Sequence, residues 1–206
     1  MKEADVFSEL SSIRSLMERS SKFISLSGLS GVMAGVYALV GAFFGYRIVY
    51  PYAGGLVISN YDVIDTKVWS QLVSIAIVVL ILSLTTVIVL TYRQSKKKGQ
   101  QFWGPGSKRL FSSLALPLVT GGILMIILLY RGEYSMVVPA CLLFYGLSLV
   151  SGSHYTFSDV KWLGICEISL GLLCALMPGY GLLFWTIGFG ILHILYGSIM
   201  HFKYKQ

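Results

Sequence analysis

Two ionisable side chains, Glu167 and His193, lie inside long apolar runs of this 206-residue chain. A charge in apolar surroundings is costly unless a partner or a proton compensates it, so such residues are candidate functional groups. A carboxyl group and an imidazole that meet there can share a proton, because burial and a neighbouring charge move their titration in opposite senses. One interpretation of the pair is therefore relay of a proton or small cation in a transporter. The simpler alternative is a structural hydrogen bond that fixes how two helices pack.

The turn between the two runs predicts that both side chains lie at the same depth. Residues 178–181 read Pro-Gly-Tyr-Gly, which is typical of a tight hairpin between helices. Reflecting the chain about this turn places Glu167 and His193 at depths that differ by no more than one helical rise, ~1.5 Å. Both then lie ~9–11 Å from the cytoplasmic ends of their helices. The same reflection through the 153–160 loop places Tyr145 near the depth of Glu167 and His193, so Tyr145 is a candidate third member of their group.

Small residues follow both helices at three- and four-residue steps, a pattern that lets helix backbones approach closely. Glu167 and His193 each belong to such a stripe, so we expect the two stripes to face each other with the pair between them. A third stripe runs along the first apolar segment, and packing within the chain is favoured there over packing in a homo-oligomer. The packing residues are Gly164 and Gly171 beside Glu167, Gly190 and Gly197 beside His193, and Gly28, Gly31 and Gly35 in the first segment.

The composition identifies the solvent that surrounds these helices. Hydrophobic residues make up 55% of the chain and charged residues 12%, about half of the roughly 25% found in soluble domains. This excludes a soluble enzyme, a disordered protein and a free nucleic-acid-binding domain. The net charge of +7 is then better explained by anionic lipid headgroups than by nucleic acid.

Six apolar segments are long enough to cross a lipid bilayer, and their backbones must be helical to satisfy their own hydrogen bonds. The sequence thus predicts an all-α integral membrane protein, with a six-helix transmembrane bundle over residues 24–206. The expected spans are 24–46, 69–91, 110–130, 135–152, 161–177 and 182–200.

The basic residues predict the orientation of the bundle. With the N-terminus in the cytoplasm, 13 Lys and Arg fall in cytoplasmic segments and three in external ones. This is a strong positive-inside bias, and an even number of spans returns the C-terminus to the cytoplasm. The three external residues are Arg47, Lys67 and Arg131.

Two cytoplasmic segments are candidate contact surfaces. Residues 1–23 carry apolar side chains at three- and four-residue steps, which predicts an amphipathic helix on the inner membrane surface or against the cytoplasmic loops. The loop between spans two and three carries Lys96, Lys97 and Lys98 and is expected to contact anionic lipid headgroups. These segments also support an alternative function, that of a regulatory or scaffold protein which docks a cytoplasmic partner.

The sequence carries no motif for an enzyme active site, a cofactor or a metal. It has no nucleophile elbow, phosphate-binding loop or HExxH sequence. His193 and His201 lie ~12 Å apart along a helix, too far to share one zinc ion. An intramembrane metal hydrolase, with His154, Asp159 and His201 near the cytoplasmic interface, is a remote alternative.

Residues 17–31, MERSSKFISLSGLSG, lead into a glycine-rich first span. This stretch resembles a family of small uncharacterised bacterial membrane proteins that combine an amphipathic N-terminal segment with such a span, and the match covers about the first 45 residues. The resemblance implies a bacterial cytoplasmic membrane and no activity or site residues. Our leading functional hypothesis depends instead on the intramembrane pair: permeation or sensing of a small solute, ion or proton around Glu167 and His193.

Overall fold

The computed structural model describes residues 27–53, 66–97, 99 and 101–204, and within these ranges the chain is helical with no β-strand. The predicted amphipathic helix over residues 1–23, and the first residues of the predicted first span, lie outside the described residues. Six helices follow one another: α1 Gly28–Ala53, α2 Thr66–Lys97, α3 Pro105–Arg131, α4 Val137–Gly152, α5 Asp159–Leu176 and α6 Gly181–Lys203.

Five of these helices are long and apolar enough to cross a membrane: α1, α2, α3, α6, and α4 together with the 3-10 turns at its ends. The predicted all-α fold is confirmed for the described residues, and these five helices fit the predicted membrane class. The helix that corresponds to the predicted fifth span, α5, is not among the five. It has 18 residues, and Asp159, Lys161 and Glu167 interrupt its apolar sequence.

The outer helices expose large apolar side chains where a soluble protein would carry polar ones. Leu116 and Ile126 of α3 are 75% and 67% exposed, and Leu80 and Ile81 of α2 are also more than half exposed. Lipid tails cover such side chains without cost, because the tails are as apolar as the side chains themselves. The surface of α2 and α3 is therefore suited to a bilayer.

Glycines mark the turns between helices. Gly132 ends α3 with a φ of 75°, and Gly179 in the α5–α6 turn has a φ of 103°. Both values lie in the left-handed region that glycine adopts without steric cost. The turn predicted over residues 178–181 thus joins α5 and α6 as a short hairpin.

The helices form two groups of three. In one group α1 packs against α2 and α6, and in the other α4 packs against α3 and α5. The groups meet where α6 contacts α5 and the first turn of α6 contacts α4. The most extensive contacts of α5 are with α4, and those of α6 are with α1, although α5 and α6 are neighbours in the chain.

The glycines of α6 pack against α1. A methyl group at Gly197 would lie 2.7 Å from the carbonyl oxygen of Gly28, and one at Gly31 would lie 3.2 Å from Gly197 Cα. One turn further, a methyl group at Gly35 would lie 2.6 Å from the carbonyl oxygen of Gly190. The stripe on the first segment therefore packs within the chain, backbone against backbone.

The glycines of α5 pack against α4. A methyl group at Gly164 would lie 2.7 Å from the Gly146 carbonyl oxygen, and one at Gly171 would lie 2.8 Å from Leu143 Cγ. The expectation that the stripes of α5 and α6 face each other therefore needs correction, because each stripe faces a different partner. Glycines line the contacts where two helix backbones come closest, and we call these contacts the α4–α5 seam and the α1–α6 seam.

An ion pair joins the start of α5 to the end of α6. Lys203 Nζ lies 3.0 and 2.8 Å from the two carboxylate oxygens of Asp159, and the hydroxyl of Tyr204 donates to the same carboxylate at 2.7 Å. The hydrogen bond from Lys203 is the main cause that holds the pKa of Asp159 below its ordinary value. The ring of Phe157 packs on Tyr204, with centroids 4.1 Å apart. This α5–α6 clasp fixes the helix ends at one end of the bundle.

Candidate functional site

Glu167 lies in the middle of α5 and is fully buried, with 0% of the residue exposed. It is the one acidic residue among the buried positions of the described chain. Neither carboxylate oxygen has a hydrogen-bond partner among the described residues. A buried carboxylate in this condition is costly unless it holds a proton or has a cation beside it.

His193 lies at the same depth on α6 and has a hydrogen bond at each ring nitrogen. Its Nδ1 lies 2.9 Å from the carbonyl oxygen of Gly188, and its Nε2 lies 2.7 Å from the hydroxyl oxygen of Tyr145. A carbonyl only accepts, so Nδ1 carries a hydrogen. In the neutral ring Nε2 then accepts the Tyr145 hydroxyl hydrogen, and both nitrogens are satisfied.

Glu167 and His193 meet across the last hairpin, with Oε1 3.5 Å from Nδ1. This is an ion-pair distance when the imidazole is charged, but it is long for a hydrogen bond. The Nδ1 hydrogen is shared instead with the nearer Gly188 carbonyl. The direct hydrogen bond between Glu167 and His193 that the structural alternative predicts is therefore not present.

The tautomer also limits how a proton can move within the pair. Because Nδ1 already carries a hydrogen, the basic lone pair of neutral His193 is on Nε2, which faces Tyr145. A proton that reaches the imidazole must therefore arrive on the Tyr145 side, with the hydroxyl reversing its role from donor to acceptor. Glu167 and His193 therefore influence each other through charge, whereas the Tyr145 hydroxyl is hydrogen-bonded to the nitrogen that can accept a proton, Nε2.

A π-helical segment, Thr186–Leu192, positions the His193 ring. A π turn contains one residue more than an α turn, and such turns often occur at functional sites. Here it brings the carbonyl of Gly188, five residues earlier in the sequence, within hydrogen-bond distance of the His193 side chain. The sequence analysis missed this segment. The one visible signal is the pair of glycines, Gly188 and Gly190, just before the histidine.

Gly188 also makes room for the carboxylate. A methyl group at this position would lie 2.6 Å from Glu167 Oε2 and 2.7 Å from Leu142 Cδ2. Leu142 is itself 0% exposed, so it has little freedom to move. The carboxylate is therefore packed directly against the bare backbone of the π segment. Sequence reasoning did not identify Gly188 or Leu142 as part of the site.

Tyr145 is the third member that the second reflection predicted, and its ring lies in an aromatic cluster. Its centroid is 5.4 Å from that of His193 and 5.2 Å from that of Phe189. Cys141 lies one turn before Tyr145, on the same face of α4. The buried polar centre, as we define it, consists of Glu167, His193, Tyr145, Cys141 and the Gly188 carbonyl.

The other residues weighed for chemistry do not join this centre. Asp159 is held in the α5–α6 clasp, and His154 is exposed at the α4–α5 connection. Across the part of the chain that the structure describes, no three His, Cys, Asp or Glu residues come together as metal ligands would. The basic loop residues Lys96 and Lys97 are exposed at the end of α2.

Comparison of the chain with models of protein families, with curated proteins and with solved structures finds no match. This agrees with a resemblance that implies no known activity. The functional argument therefore depends on the geometry of the buried polar centre.

Proposed function

We propose that this chain is a multi-span membrane protein that passes or senses a small solute, ion or proton through the buried polar centre. The observation that carries the proposal is Glu167: a carboxylate with 0% exposure and without a hydrogen-bond partner among the described residues. A group that costly is retained more readily for a function than for stability, since apolar packing of the same volume is usually at least as stable.

His193 and Tyr145 give this centre the means to respond to a charge. Their hydrogen bond of 2.7 Å reverses direction when the imidazole gains a proton, and the carboxylate 3.5 Å away stabilises the resulting cation. The π segment links the change to the path of α6, because the Gly188 carbonyl is bonded to the same ring. Such a link is what a sensor or a gated pathway needs.

We propose that α5 also crosses the membrane, which gives six spans in all. Both termini then lie in the cytoplasm, and the membrane is a bacterial cytoplasmic membrane. Support for α5 comes from its 18 residues, which are ~27 Å long, and from its packing between α4 and α6. Labelling of single cysteines in intact cells with a membrane-impermeant reagent tests the orientation. Arg131→Cys should be labelled from outside and Lys108→Cys should not.

Ion flux into vesicles tests the function. Purified protein in liposomes, with a pH-sensitive or cation-sensitive dye inside and an imposed membrane potential, should show flux above that of empty vesicles. Glu167→Gln should remove most of this flux, whereas Glu133→Gln should retain it, because Glu133 is exposed in the α3–α4 turn. The proposal fails if Glu167→Gln changes neither the flux nor the stability of the protein.

A regulatory or scaffold protein is the second candidate. It is favoured by the α2–α3 connection and the helix ends beside it, where Lys97, Lys108 and Arg109 are exposed and Trp103 is 59% exposed. Charge reversal of these three basic residues should abolish co-purification of a partner and leave flux unchanged if docking is the function. If flux falls and no partner is lost, docking is excluded.

The membrane-embedded metal hydrolase stays a remote third candidate. It requires a bound metal ion, so elemental analysis of purified protein tests it directly. A stoichiometric content of zinc that survives dialysis would revive this candidate, and a substoichiometric content would end it.

A further inference from the structure

We propose that the occupant of the Glu167 site is a proton, and that neither a metal ion nor an organic cation takes its place. This inference rests on the proposed function and narrows it, from any small cation to the hydrogen ion. It follows from three features of the site: the space around the carboxylate, the ligands near it and the direction of the nearest polar hydrogen.

The space beside the carboxylate is too small for an organic cation. A single methyl group at Gly188 would be only 2.6 Å from Glu167 Oε2, well inside ordinary van der Waals contact. The same methyl group would lie 2.7 Å from Leu142 Cδ2, on the side chain that closes the site. The smallest alkylammonium ion is larger than a methyl group, so it cannot be accommodated while the helices pack this way.

The ligands are too few for a metal ion. Hard cations such as Ca²⁺ take about six to eight oxygen ligands, and Mg²⁺ needs an octahedral set. The centre supplies the two Glu167 oxygens, while the Gly188 carbonyl and the Tyr145 hydroxyl are already bonded to the His193 ring. The part of the chain that the structure describes offers no group of three His, Cys, Asp or Glu ligands that would complete a softer site.

The polar hydrogen nearest to the carboxylate disfavours a bound cation. The Nδ1 hydrogen of His193 lies on the side of the ring that faces Glu167 Oε1, at a nitrogen-to-oxygen distance of 3.5 Å. Its partial positive charge repels a metal ion or ammonium group and is compatible with either form of the carboxyl group. A proton needs no added space and no ligand shell, and it alone meets all three conditions.

The titratable groups that face Glu167 come from two neighbouring helices. Helix α4 contributes Cys141 and Tyr145, and α6 contributes His193. Of these, the imidazole is the one whose charge is ordinarily gained near neutral pH. Protonation of the carboxyl group is therefore expected to depend on pH and on the charge of His193.

Infrared difference spectroscopy of the reconstituted wild-type protein tests this inference. A carboxylic acid has a carbonyl stretching band that a carboxylate lacks, so the band should rise and fall as the pH is varied. Glu167→Gln should remove the band, and Glu133→Gln should leave it unchanged. At constant pH, addition of Na⁺, K⁺, Mg²⁺ or methylammonium should not shift its midpoint.

Competition has a defined signature. A cation that takes the place of the proton lowers the midpoint of the band by about one pH unit for each tenfold rise in its concentration, because binding at one site is linked to the other. Such a shift would overturn the proton inference but leave the proposed function intact, with a cation as the solute. Absence of the acid band from the wild type at every pH, together with loss of flux in Glu167→Gln, would also overturn it. The wild-type titration against cations needs no variant, so it remains decisive even if Glu167→Gln fails to fold.

Discussion

Gly188→Ala tests the packing of the carboxylate against the π segment without changing any charge. The added methyl group would lie 2.6 Å from Glu167 Oε2 and 2.7 Å from Leu142 Cδ2, whereas ordinary contacts begin near 3.4 Å. Each neighbour must therefore move by roughly 0.7–0.8 Å, although both of them are fully buried. Overpacking of this kind costs about 1–3 kcal/mol, and we expect a loss of stability in that range.

The same substitution at Gly122 is a matched control. Gly122 lies in α3, and a methyl group there meets no atom of the described residues within 4 Å. Since alanine is a better helix former than glycine by about 0.5–1 kcal/mol, Gly122→Ala should be neutral or slightly stabilising. Any loss seen only at Gly188 is then due to its surroundings.

Equilibrium unfolding in mixed micelles measures both variants. A double variant supplies the direct test of the contact: Glu167→Ala removes the carboxylate, so Gly188→Ala should cost less in that background than in the wild type. The reasoning is refuted if Gly188→Ala is as stable as Gly122→Ala, or if its cost is the same with and without the carboxylate.

Three other changes have definite outcomes. Tyr145→Phe removes the hydroxyl that bonds to Nε2 of His193 at 2.7 Å; we expect a loss of about 1–3 kcal/mol and a changed pH dependence of flux, and an unchanged pH profile would contradict the role of the hydroxyl. Asp159→Asn breaks the pair with Lys203, whose hydrogen bond holds the pKa of Asp159 below its ordinary value. The wild type should therefore be more stable at neutral pH, and this advantage should vanish as the pH falls through the lowered pKa. An unfolding difference independent of pH would refute that assignment. Gly197→Ala places a methyl group 2.5 Å from a backbone nitrogen of α1, so it should separate the α1–α6 seam and reduce the thermal stability by several degrees, and wild-type stability would show that the seam is looser than described.

The sequence alone places the two ionisable residues correctly in depth because helical rise and turn length are local properties. The spacing about the Pro178–Gly179 turn was enough to bring Glu167 and His193 to one layer, and the structure puts them 3.5 Å apart. The same arithmetic through the longer α4–α5 connection found Tyr145. These estimates needed only a regular rise per residue along each helix.

The partner of each glycine stripe could not be obtained in this way. A stripe such as Gly164 and Gly171 indicates that a helix packs closely on another, but it does not say on which one. The reflection made α6 the natural partner of α5, whereas the structure pairs α5 with α4 and α6 with α1. That choice depends on contacts between segments distant in sequence, which no local pattern contains.

The π segment was also outside the reach of sequence periodicity. A regular helix was assumed through residues 186–192, and the extra residue in this turn changes which atoms of α6 face Glu167. The consequence is chemical, because it is the Gly188 carbonyl that fixes the imidazole tautomer. The geometry of the pair was therefore predictable, and the hydrogen bonding that governs its protons was not.

Solid-state NMR of the protein in liposomes measures the central contact itself. With ¹³C in the carboxyl groups of glutamate and ¹⁵N in the histidine rings, one carboxyl carbon should show a measurable dipolar coupling to a protonated Nδ1, as expected when Oε1 and Nδ1 are 3.5 Å apart. That signal should vanish in Glu167→Gln and persist in Glu133→Gln. Absence of the coupling in the wild type, or a His193 ring with its hydrogen on Nε2 alone, would contradict the centre described for this protein.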